Sequence, residues 1–590
     1  MCGIVGHISI RSHIDKALFG VMCDTIAHRG PDDAGLYFSS DTRIALGHRR
    51  LSFLDLSERG RQPMSNGEGT IWLTFNGEIY NFKEIRRELE SAYSFKTGTD
   101  SEVIIAGYKR WGYKVLDKLK GMFAFGLYDT DRRKLFLARD RFGIKPLYYY
   151  QNNDQFIFGS EIKAILASNV APKDIDFSSF TDYFVYRYIP SPKTIWQDIK
   201  KLPAAHYLEV DVNSLHTMSK EYWTLGHRNQ NINEKELIEE IDQLILRSVK
   251  QHTVADVPIG SFLSGGYDSS ALVYYAKRFA YDPHTFSIGF ARWHDSEHKY
   301  AKVVADSLGL KNKVVVADDH SLDLLSKMAW VYDEPIADIS IIPTYIVSQL
   351  ARTNVKAVLS GEGADELFGG YSWQKNFFDL QYPTSWKDRA KRLFTPTDTV
   401  EYYANAMAMG CFNSDELKEM LNPNLHQYIA DDVHWFYRQH YDEELSPLKS
   451  IQKMDIKCFM GELVLTKIDR ASMANSLEVR VPFLDHELFE RIFSVSERNY
   501  FKQGITKYVL HENLKAHFPA RIMKRKKQGF VWPDSYYMDI DWYNKHLRQS
   551  EMVEHGIVNK SYIDKQIAQK HHWKLWKLTI MEKWFAHYIG

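Results

Sequence analysis

The spacing of apolar residues changes near residue 230, and this change constrains the fold more than any other feature of the sequence. From about residue 235 the apolar runs VPIGSFL, HTFSIGF, NKVVVA and VKAVLS alternate with helical patterns such as SSALVYYAKRF and KYAKVVADSLGL. Continuous apolar strands separated by helices are typical of a parallel sheet that is covered on both faces. We therefore expect an α/β domain, which continues as helical and irregular chain from about residue 372.

Residues 1 to about 210 follow a different pattern. Short strands such as GIVGHISI, TIWLTF, MFAFGLYD and KLFLARD are separated by Gly, Asn and Asp turns, with helical patches at FKEIRRELE and SEVIIAGYKRWG. This pattern predicts a sheet-rich α+β domain. The polar stretch GHRNQNINE at 226–234 is the expected boundary, so that the predicted domains are residues 1–210 and 235–590.

Charge and cysteine content exclude several classes of protein. The 75 Lys and Arg residues balance 75 Asp and Glu residues, which argues against a polyanionic partner such as DNA or an acidic membrane. No apolar run approaches the roughly 18 residues that span a bilayer. The four cysteines are too far apart for zinc-ligand spacing or a dense disulfide framework; they are Cys2, Cys23, Cys411 and Cys458. We expect a cytoplasmic protein without nucleic-acid or membrane partners.

One loop has the composition of an anion site. The strand VPIGSFL is followed by Ser264-Gly265-Gly266-Tyr267-Asp268-Ser269-Ser270 and then by a helix. The glycines let backbone amides point at an anion, and the serines add hydroxyl donors at a helix N-terminus that favours phosphate. The chain has no Walker A motif, and a dinucleotide fingerprint is poorly supported because Glu366 stands where its third glycine would be. A strand-to-helix turn with an N-cap serine is the alternative interpretation.

A second, acidic loop follows a later strand of the same predicted sheet. After VKAVLS the chain continues with Gly361-Glu362-Gly363-Ala364-Asp365-Glu366. Because both loops follow parallel strands, both should lie at the carboxyl edge of the sheet, where ligands of such folds bind. Asp268 and Asp365 are then placed to share a Mg²⁺ ion that bridges phosphates. For the acidic residues of the second loop, a solvated helix start is the alternative.

Cys2 is the candidate nucleophile at the amino terminus. Removal of Met1 would place its thiol beside a free α-amine, whose ordinary pKa of about 8 lets it act as a general base. Cys2 leads directly into the apolar strand GIVGHISI, which ties the terminus down. A disordered, inert cysteine is the alternative.

Several motifs carry a family resemblance over roughly residues 1 to 535. The first third resembles the class II (N-terminal nucleophile) glutamine amidotransferases in MCGIVG, HRGPDD, GHRRLSFLDLS, FNGEIYN, TGTDSE, GMFAFGLYD and RDRFGIKPLYY. The remainder resembles the ATP-pyrophosphatase domain of glutamine-hydrolysing asparagine synthetases in FLSGGYDSS, FSIGF, LSGEGADELFGGY, DRASMANSLEVRVPFLD and RKKQGF. The resemblance implies an α+β N-terminal nucleophile sandwich (αββα), followed by an α/β parallel-sheet ATP-pyrophosphatase domain with a helical C-terminal elaboration.

The resemblance also implies roles in the first domain. Cys2 would attack the side-chain amide of glutamine and form a thioester. Arg50 resembles the residue that binds the α-carboxylate of glutamine, and Asp100 the residue that holds its α-ammonium. Asn76 and Gly77 resemble an oxyanion hole. The implied glutamine-binding set is Arg50, Asn76, Gly77, Glu78 and Asp100. For Arg50 and Asp100, a surface ion pair is the alternative.

In the second domain the resemblance implies an ATP site and a catalytic acid or base. Glu362 resembles the acidic residue at the acyl-adenylate step, where it would relieve the attacking ammonia of a proton. Lys507 resembles a lysine that neutralises phosphate charge, with a solvated helix face as the alternative. The implied ATP-binding set is Leu263, Ser264, Gly265, Gly266, Asp268, Ser269, Ile288, Ser360, Gly361 and Lys507, and the implied metal ligands are Asp268 and Asp365.

The implied reaction is ATP-dependent asparagine synthesis from aspartate and glutamine through β-aspartyl-AMP. The acceptor stays open, since Tyr267 stands where asparagine synthetases commonly carry Leu, and the aromatic-rich segment 371–386 departs further from them. One alternative is an amidotransferase that amidates a sugar uronate in surface-glycan assembly. Another is an inactive scaffold, which the intact motif residues disfavour. The expected ligands are glutamine, ATP, Mg²⁺ and a carboxylate acceptor, and a homodimer is left open.

Overall fold

The computed structural model describes most of the chain. The described residues are 2–226, 232–291, 293–294, 296–383, 398–502, 504–525 and 532–590. Some features of the sequence analysis lie outside them: Met1, the middle of the expected boundary at 227–231, the end of the aromatic-rich segment at 384–386, and residues 526–530 of RKKQGF.

The first lobe, residues 2–221, contains two six-stranded sheets in which all the pairings are antiparallel. The strands are β1 (Gly3–Ser9), β2 (Asp33–Phe38), β3 (Ile44–Arg50), β4 (Met64–Ser65), β5 (Ile71–Ile79), β6 (Gly121–Asp129), β7 (Lys134–Arg139), β8 (Tyr148–Gln151), β9 (Gln155–Gly159), β10 (Ile199–Lys201), β11 (His206–Asp211) and β12 (Thr217–Glu221). One sheet has the order β10-β8-β9-β1-β3-β2 and the other β12-β11-β7-β6-β5-β4. Strand β12 thus continues this lobe beyond the predicted domain end at residue 210.

The two sheets face each other across an apolar layer. Ile4 and Leu46 of one sheet and Leu137 of the other are buried together there. Helices cover the outer faces, and those of the first lobe are Lys16–Asp24, Phe82–Leu89, Glu102–Trp111, Val115–Lys118, Ile162–Leu166 and Phe177–Tyr186. The lobe is therefore an αββα sandwich, as the resemblance implied.

The second lobe, residues 234–590, is built on a five-stranded parallel sheet. Its strands are β13 (Ile259–Phe262), β14 (Thr285–Phe290), β15 (Asn312–Ala317), β16 (Ala357–Leu359) and β17 (Glu478–Arg480), in the order β15-β14-β13-β16-β17. The order reverses direction between β13 and β16. The loops after these two strands therefore flank the topological switch point, where open α/β sheets bind ligands.

Helices make up most of the remaining described chain. The α-helices of the second lobe are Glu234–His252, Tyr267–Arg278, His298–Leu308, Leu325–Tyr332, Ile341–Arg352, Ala364–Phe368, Ser372–Gln381, Thr399–Met407, Ser414–Met420, Trp435–His440, Pro447–Met454, Leu465–Met473, His486–Phe493, Tyr508–Leu514, Ala520–Met523, Asp534–Tyr537, Ile540–Leu547, Glu551–Glu554, Lys560–Ala568 and His572–Tyr588. A π-helix, Asp455–Val464, joins two of them. The lobe is an α/β domain with a helical C-terminal part, and among the described residues no helix has the length and apolarity needed to cross a membrane.

Candidate active sites

Cys2 lies at the start of β1 in a closed environment. Its side chain is buried, its backbone N–H donates to Asn76 Oδ1 at 3.0 Å, and its carbonyl accepts a hydrogen bond from Arg29 Nε at 3.1 Å. Burial raises the pKa of the Cys2 thiol, although the positive amino terminus and a hydrogen bond from the Leu51 backbone lower it in part. The thiol therefore needs a nearby base before it can act as a nucleophile.

Asn76, in the middle of β5, presents an unused donor beside Cys2. Its Oδ1 is occupied by the Cys2 N–H, whereas its Nδ2 is buried and has no hydrogen-bond partner among the described residues. At the next residue, Gly77, a Cβ atom would lie 2.1 Å from the Met122 carbonyl oxygen, so the close pairing of β5 with β6 requires glycine there. A buried amide donor without a partner costs free energy and fits a role in binding an oxyanion.

Three carboxylates surround one guanidinium at the edge of this site. Glu78 pairs with Arg480 at 3.1 Å, and Arg480 also pairs with Glu478 at 2.5 Å. Asp100 accepts a hydrogen bond from the Ile79 N–H at 2.7 Å. Burial raises the pKa of Asp100 to about 6 and raises that of Glu78 well above its ordinary value, while Arg480 opposes both shifts. The excess of acidic groups suits a cationic ligand such as an ammonium.

Arg50, at the end of β3, is the predicted carboxylate-binding residue. In the structure one of its terminal nitrogens donates to the Ser57 carbonyl at 3.1 Å and the other to the carbonyls of Leu54 and Asp55 at 3.1 and 2.6 Å. These bonds fix the guanidinium against the loop that follows β3. Its role towards glutamine remains a prediction.

Four residues that complete this site were given no role in the sequence analysis. Arg29 and Glu161 come from the first lobe, and Glu478 and Arg480 come from β17 of the second lobe. The motifs HRGPDD and DRASMANSLEVRVPFLD include three of them, but nothing in the sequence indicates that residues about 400 positions apart meet at Cys2.

The loop after β13 has the backbone geometry of a tight turn into a helix. Gly265 has φ +76°, and a Cβ atom there would lie 2.5 Å from the Tyr300 carbonyl carbon, so glycine is required for conformation and for space. The hydroxyls of Ser264 and Ser269 lie 3.1 Å apart, and Gly266 caps the helix Tyr267–Arg278. Hydroxyls and backbone amides thus gather at a helix N-terminus, the arrangement that binds phosphate.

The structure brings the two predicted loops together. A Cβ atom at Gly361 would lie 2.9 Å from Asp268 Cβ, so the loop after β16 packs directly on the loop after β13. Lys507 Nζ lies 2.5 Å from an Asp268 oxygen and 2.7 Å from an Asp365 oxygen. Although burial alone would lower it, the two carboxylates raise the pKa of Lys507. The lysine is therefore charged and bridges both loops.

The same two carboxylates were the predicted Mg²⁺ ligands. Their convergence on one ammonium group shows that a single cation is accommodated between Asp268 and Asp365. Two carboxylates with substrate phosphate oxygens are a donor set that suits Mg²⁺. No group of three or more metal-ligating side chains occurs in the part of the chain that the structure describes. The residues present therefore fit a Mg²⁺ ion whose remaining ligands come from phosphate and water.

The remaining predicted ATP residues lie around the same edge of the sheet. Leu263 and Ser360 directly follow β13 and β16, Ile288 lies within β14, and all three residues are buried. Burial raises the pKa of Glu362, while a hydrogen bond from Ser360 and the positive charge of Lys467 lower it. Its Oε2 is buried and has no hydrogen-bond partner among the described residues. Glu362 is thus a carboxyl group with a raised pKa and one oxygen that no described residue occupies.

Comparison with known protein families gives one matching family model for each of the two lobes. A model described as a glutamine amidotransferase domain matches residues 1–223, and a model described as asparagine synthase matches residues 240–586. Glutamine-hydrolysing asparagine synthetase 1 of Bacillus subtilis is 35% identical, covering 99% of this chain and 96% of that protein. The chain belongs to the asparagine synthase family.

Other relatives within and around the asparagine synthase family differ in their names. Glutamine-hydrolysing asparagine synthetase 3 of Bacillus subtilis is 29% identical and covers 96% of this chain and 93% of its own length. Amidase chry2 of Gibberella zeae is 27% identical, with 96% of this chain and 94% of its own length covered. Similarity over nearly the whole chain therefore extends to proteins with different names, and family membership leaves the acceptor open.

Proposed function

We propose that this protein transfers the amide nitrogen of glutamine to a carboxylate acceptor in an ATP-dependent reaction, and that the acceptor is aspartate. The observation that carries the proposal is the presence of two built sites in one chain. One holds a buried thiol beside an amide donor that no described residue pairs with, and the other holds two loops joined by the Lys507 ammonium. Full-length similarity to a glutamine-hydrolysing asparagine synthetase supports aspartate as the acceptor.

In the glutaminase step, Cys2 attacks the glutamine side-chain amide. Once Met1 is removed, the α-amine takes the thiol proton and later supplies a proton to the departing ammonia. Asn76 Nδ2 and the Gly77 N–H stabilise the tetrahedral oxyanion, and water then hydrolyses the thioester to glutamate. Glu78 and Asp100 hold the α-ammonium group, and Arg50 holds the α-carboxylate.

In the synthetase step, the acceptor carboxylate attacks the α-phosphate of ATP, which forms an acyl-AMP and releases pyrophosphate. The Ser264–Gly266 loop binds phosphate through backbone amides and hydroxyls, and Lys507 offsets the negative charge. Ammonia then attacks the acyl carbon, AMP departs, and Glu362 accepts the proton that the new amide loses. Leu263, Ile288, Ser360 and Gly361 enclose the adenosine.

Asp268 and Asp365 would hold a Mg²⁺ ion in this site. Such an ion neutralises phosphate charge during phosphoryl and nucleotidyl transfer. Lys507 Nζ lies between the two carboxylates. If Asp268 and Asp365 held the ion, Lys507 would be available to a phosphate oxygen.

A substrate comparison tests the proposal. The purified chain receives glutamine, ATP and Mg²⁺ with either aspartate or a uronate-bearing sugar nucleotide, and pyrophosphate release and amide product are followed. We expect release that depends on aspartate, with asparagine, glutamate and AMP as the other products. Release that depends on the uronate and not on aspartate would contradict the asparagine assignment.

The uronate amidotransferase remains the second candidate because of Tyr267. This side chain lies in the predicted phosphate-binding loop next to Asp268, and its hydroxyl donates to the Met523 carbonyl. Burial raises the pKa of Tyr267, and the charge of Lys507 opposes part of that shift. The ring thus stands among the predicted phosphate-binding residues, at a position where asparagine synthetases commonly carry Leu. The same assay decides between the two acceptors.

A further inference from the structure

Arg29 joins the candidate nucleophile to the second lobe. It is fully buried, and its Nε donates to the Cys2 carbonyl at 3.1 Å. One terminal nitrogen donates to Glu161 at 2.8 Å, and the other donates to both oxygens of Asp469 at 3.2 and 2.9 Å. Asp469 belongs to the helix Leu465–Met473 of the second lobe. The backbone of Cys2 is thus held through a side chain that is anchored across the lobe interface.

The anchor is part of a buried network in which cations and anions alternate. Arg470 pairs with Glu161 at 3.1 Å and with Asp333. Lys163 lies 2.6 Å from Glu161 and 3.0 Å from Asp333. Each of these side chains is at most 9% exposed. Removing one partner from such a network leaves an unpaired buried charge, so the groups hold one another in place.

Two contacts fix the main chain of Cys2 on its two sides. Asn76 Oδ1 accepts the N–H, and Arg29 Nε donates to the carbonyl. After removal of Met1 the same nitrogen is the α-amine and can still donate to Asn76 Oδ1. With the nitrogen and the carbonyl both held, rotation about the Cα–Cβ bond places the sulfur. Asp469 accepts from one terminal nitrogen of Arg29 with both of its oxygens, and Glu161 accepts from the other terminal nitrogen. Together these contacts hold the Arg29 guanidinium and therefore set the direction of its Nε–H.

We propose that Asp469 is a positioning residue for glutamine hydrolysis, and that the second lobe completes the glutaminase site through the Asp469–Arg29–Cys2 connection. The inference rests on the proposed function of Cys2. Asp469 touches neither the nucleophile nor the predicted glutamine-binding groups; it acts by orienting Arg29. A loss of this orientation slows the chemical step and leaves glutamine binding intact, since small misplacements of reacting groups are costly in rate.

The test measures two reactions of the full-length chain with the isosteric variant Asp469→Asn. We expect kcat for glutamine hydrolysis to fall about 10- to 100-fold, with KM for glutamine and ammonia-dependent pyrophosphate release unchanged. Asp469→Glu, which keeps the charge, should restore part of the lost kcat. The matched control is Glu487→Gln, which breaks another ion pair between the lobes, with Lys120 at 2.7 Å, and should change neither reaction.

A double-mutant cycle with Arg29→Lys separates positioning from general damage. If both residues act through one connection, kcat for glutamine hydrolysis in the double variant should be no lower than in the more impaired of the two single variants. Additive losses, an unchanged kcat in Asp469→Asn, or an equal fall in the ammonia-dependent reaction would each overturn the inference. A parent chain without glutamine hydrolysis, or with hydrolysis that persists in Cys2→Ala, would refute the proposed function instead.

Discussion

The two candidate sites differ in how their polar and charged groups are paired. At Cys2, the backbone nitrogen and carbonyl are hydrogen-bonded to Asn76 and Arg29. Asn76 Nδ2 has no partner among the described residues and can donate to an oxyanion. In the second lobe, Lys507 pairs with the carboxylates of both Asp268 and Asp365 and offsets part of their negative charge. The main chain of Cys2 is thus held in place by groups that do not need to change partners. A site for a polyanion with its metal ion holds charges that must change partners, so we expect reorganisation there on binding.

The largest expected effect is that of Cys2→Ala, which should abolish the activity of one site and leave that of the other intact. Cys2→Ala removes the nucleophile, so glutamine hydrolysis and glutamine-dependent synthesis should be lost, while synthesis with ammonia continues because the second lobe is untouched. Both activities are measured by glutamate and pyrophosphate release. Cys411→Ala, at an exposed cysteine, is the control and should change nothing. Loss of the ammonia-dependent reaction in Cys2→Ala would contradict the two-site model.

The next effect tests whether the glutaminase site is prearranged for an oxyanion. Asn76→Ala removes the free Nδ2 donor and should lower kcat for glutamine hydrolysis about 10²- to 10³-fold, as removal of one oxyanion donor typically does. Steady-state kinetics give the value. Asn213→Ala, at an exposed asparagine of the same lobe, serves as the control. If Asn76→Ala raises KM alone, the residue binds substrate without stabilising the intermediate.

In the second lobe the corresponding variant is Lys507→Met. It leaves Asp268 and Asp365 facing each other without their shared cation, and it removes a charge that offsets the phosphates. We expect acceptor-dependent pyrophosphate release to fall about 10²-fold with glutamine hydrolysis retained. Lys515→Met, which breaks an exposed pair with Glu512 just beyond the helix that follows Lys507, is the control. Unchanged pyrophosphate release in Lys507→Met would show that the bridge has no role in catalysis.

The smallest effect is a pH dependence confined to the first lobe. Burial raises the pKa of Asp100 to about 6, so this carboxylate becomes protonated and neutral as the pH falls through that value. A neutral Asp100 no longer attracts an ammonium, and kcat/KM for glutamine should fall about tenfold per pH unit below it. Because the pKa is raised by folding, ionised Asp100 destabilises the free protein, and a bound ammonium offsets this cost. A profile in Asp100→Asn that keeps the same slope would assign the titration to another group.

Much of the architecture followed from local patterns in the sequence. Apolar runs alternating with helices predicted the parallel sheet, and the loops beginning at Ser264 and Gly361 meet as expected because both follow strands of that sheet. The π-helix Asp455–Val464 and the extension of the first lobe to β12 had no such signal. The contacts that reach the Cys2 site from the second lobe also had no signal in the sequence. Arg480 and Asp469 reach it from the second lobe, and such pairings depend on how the lobes dock and not on residue spacing.

The buried ion-pair network around Arg29 and Arg470 restricts which lobes can dock with one another. At this contact the first lobe contributes Arg29, Lys145, Lys163 and Glu161, a set with excess positive charge, and the second lobe contributes Asp333, Asp469 and Arg470, a set with excess negative charge. These buried charges find partners of opposite sign only when matching lobes dock. In a chimera made by exchanging one lobe with a relative of different charge pattern, unpaired buried charges would penalise the mismatch. A charge-changing substitution on one side of this interface would therefore need a compensating substitution on the other side to avoid an unpaired buried charge.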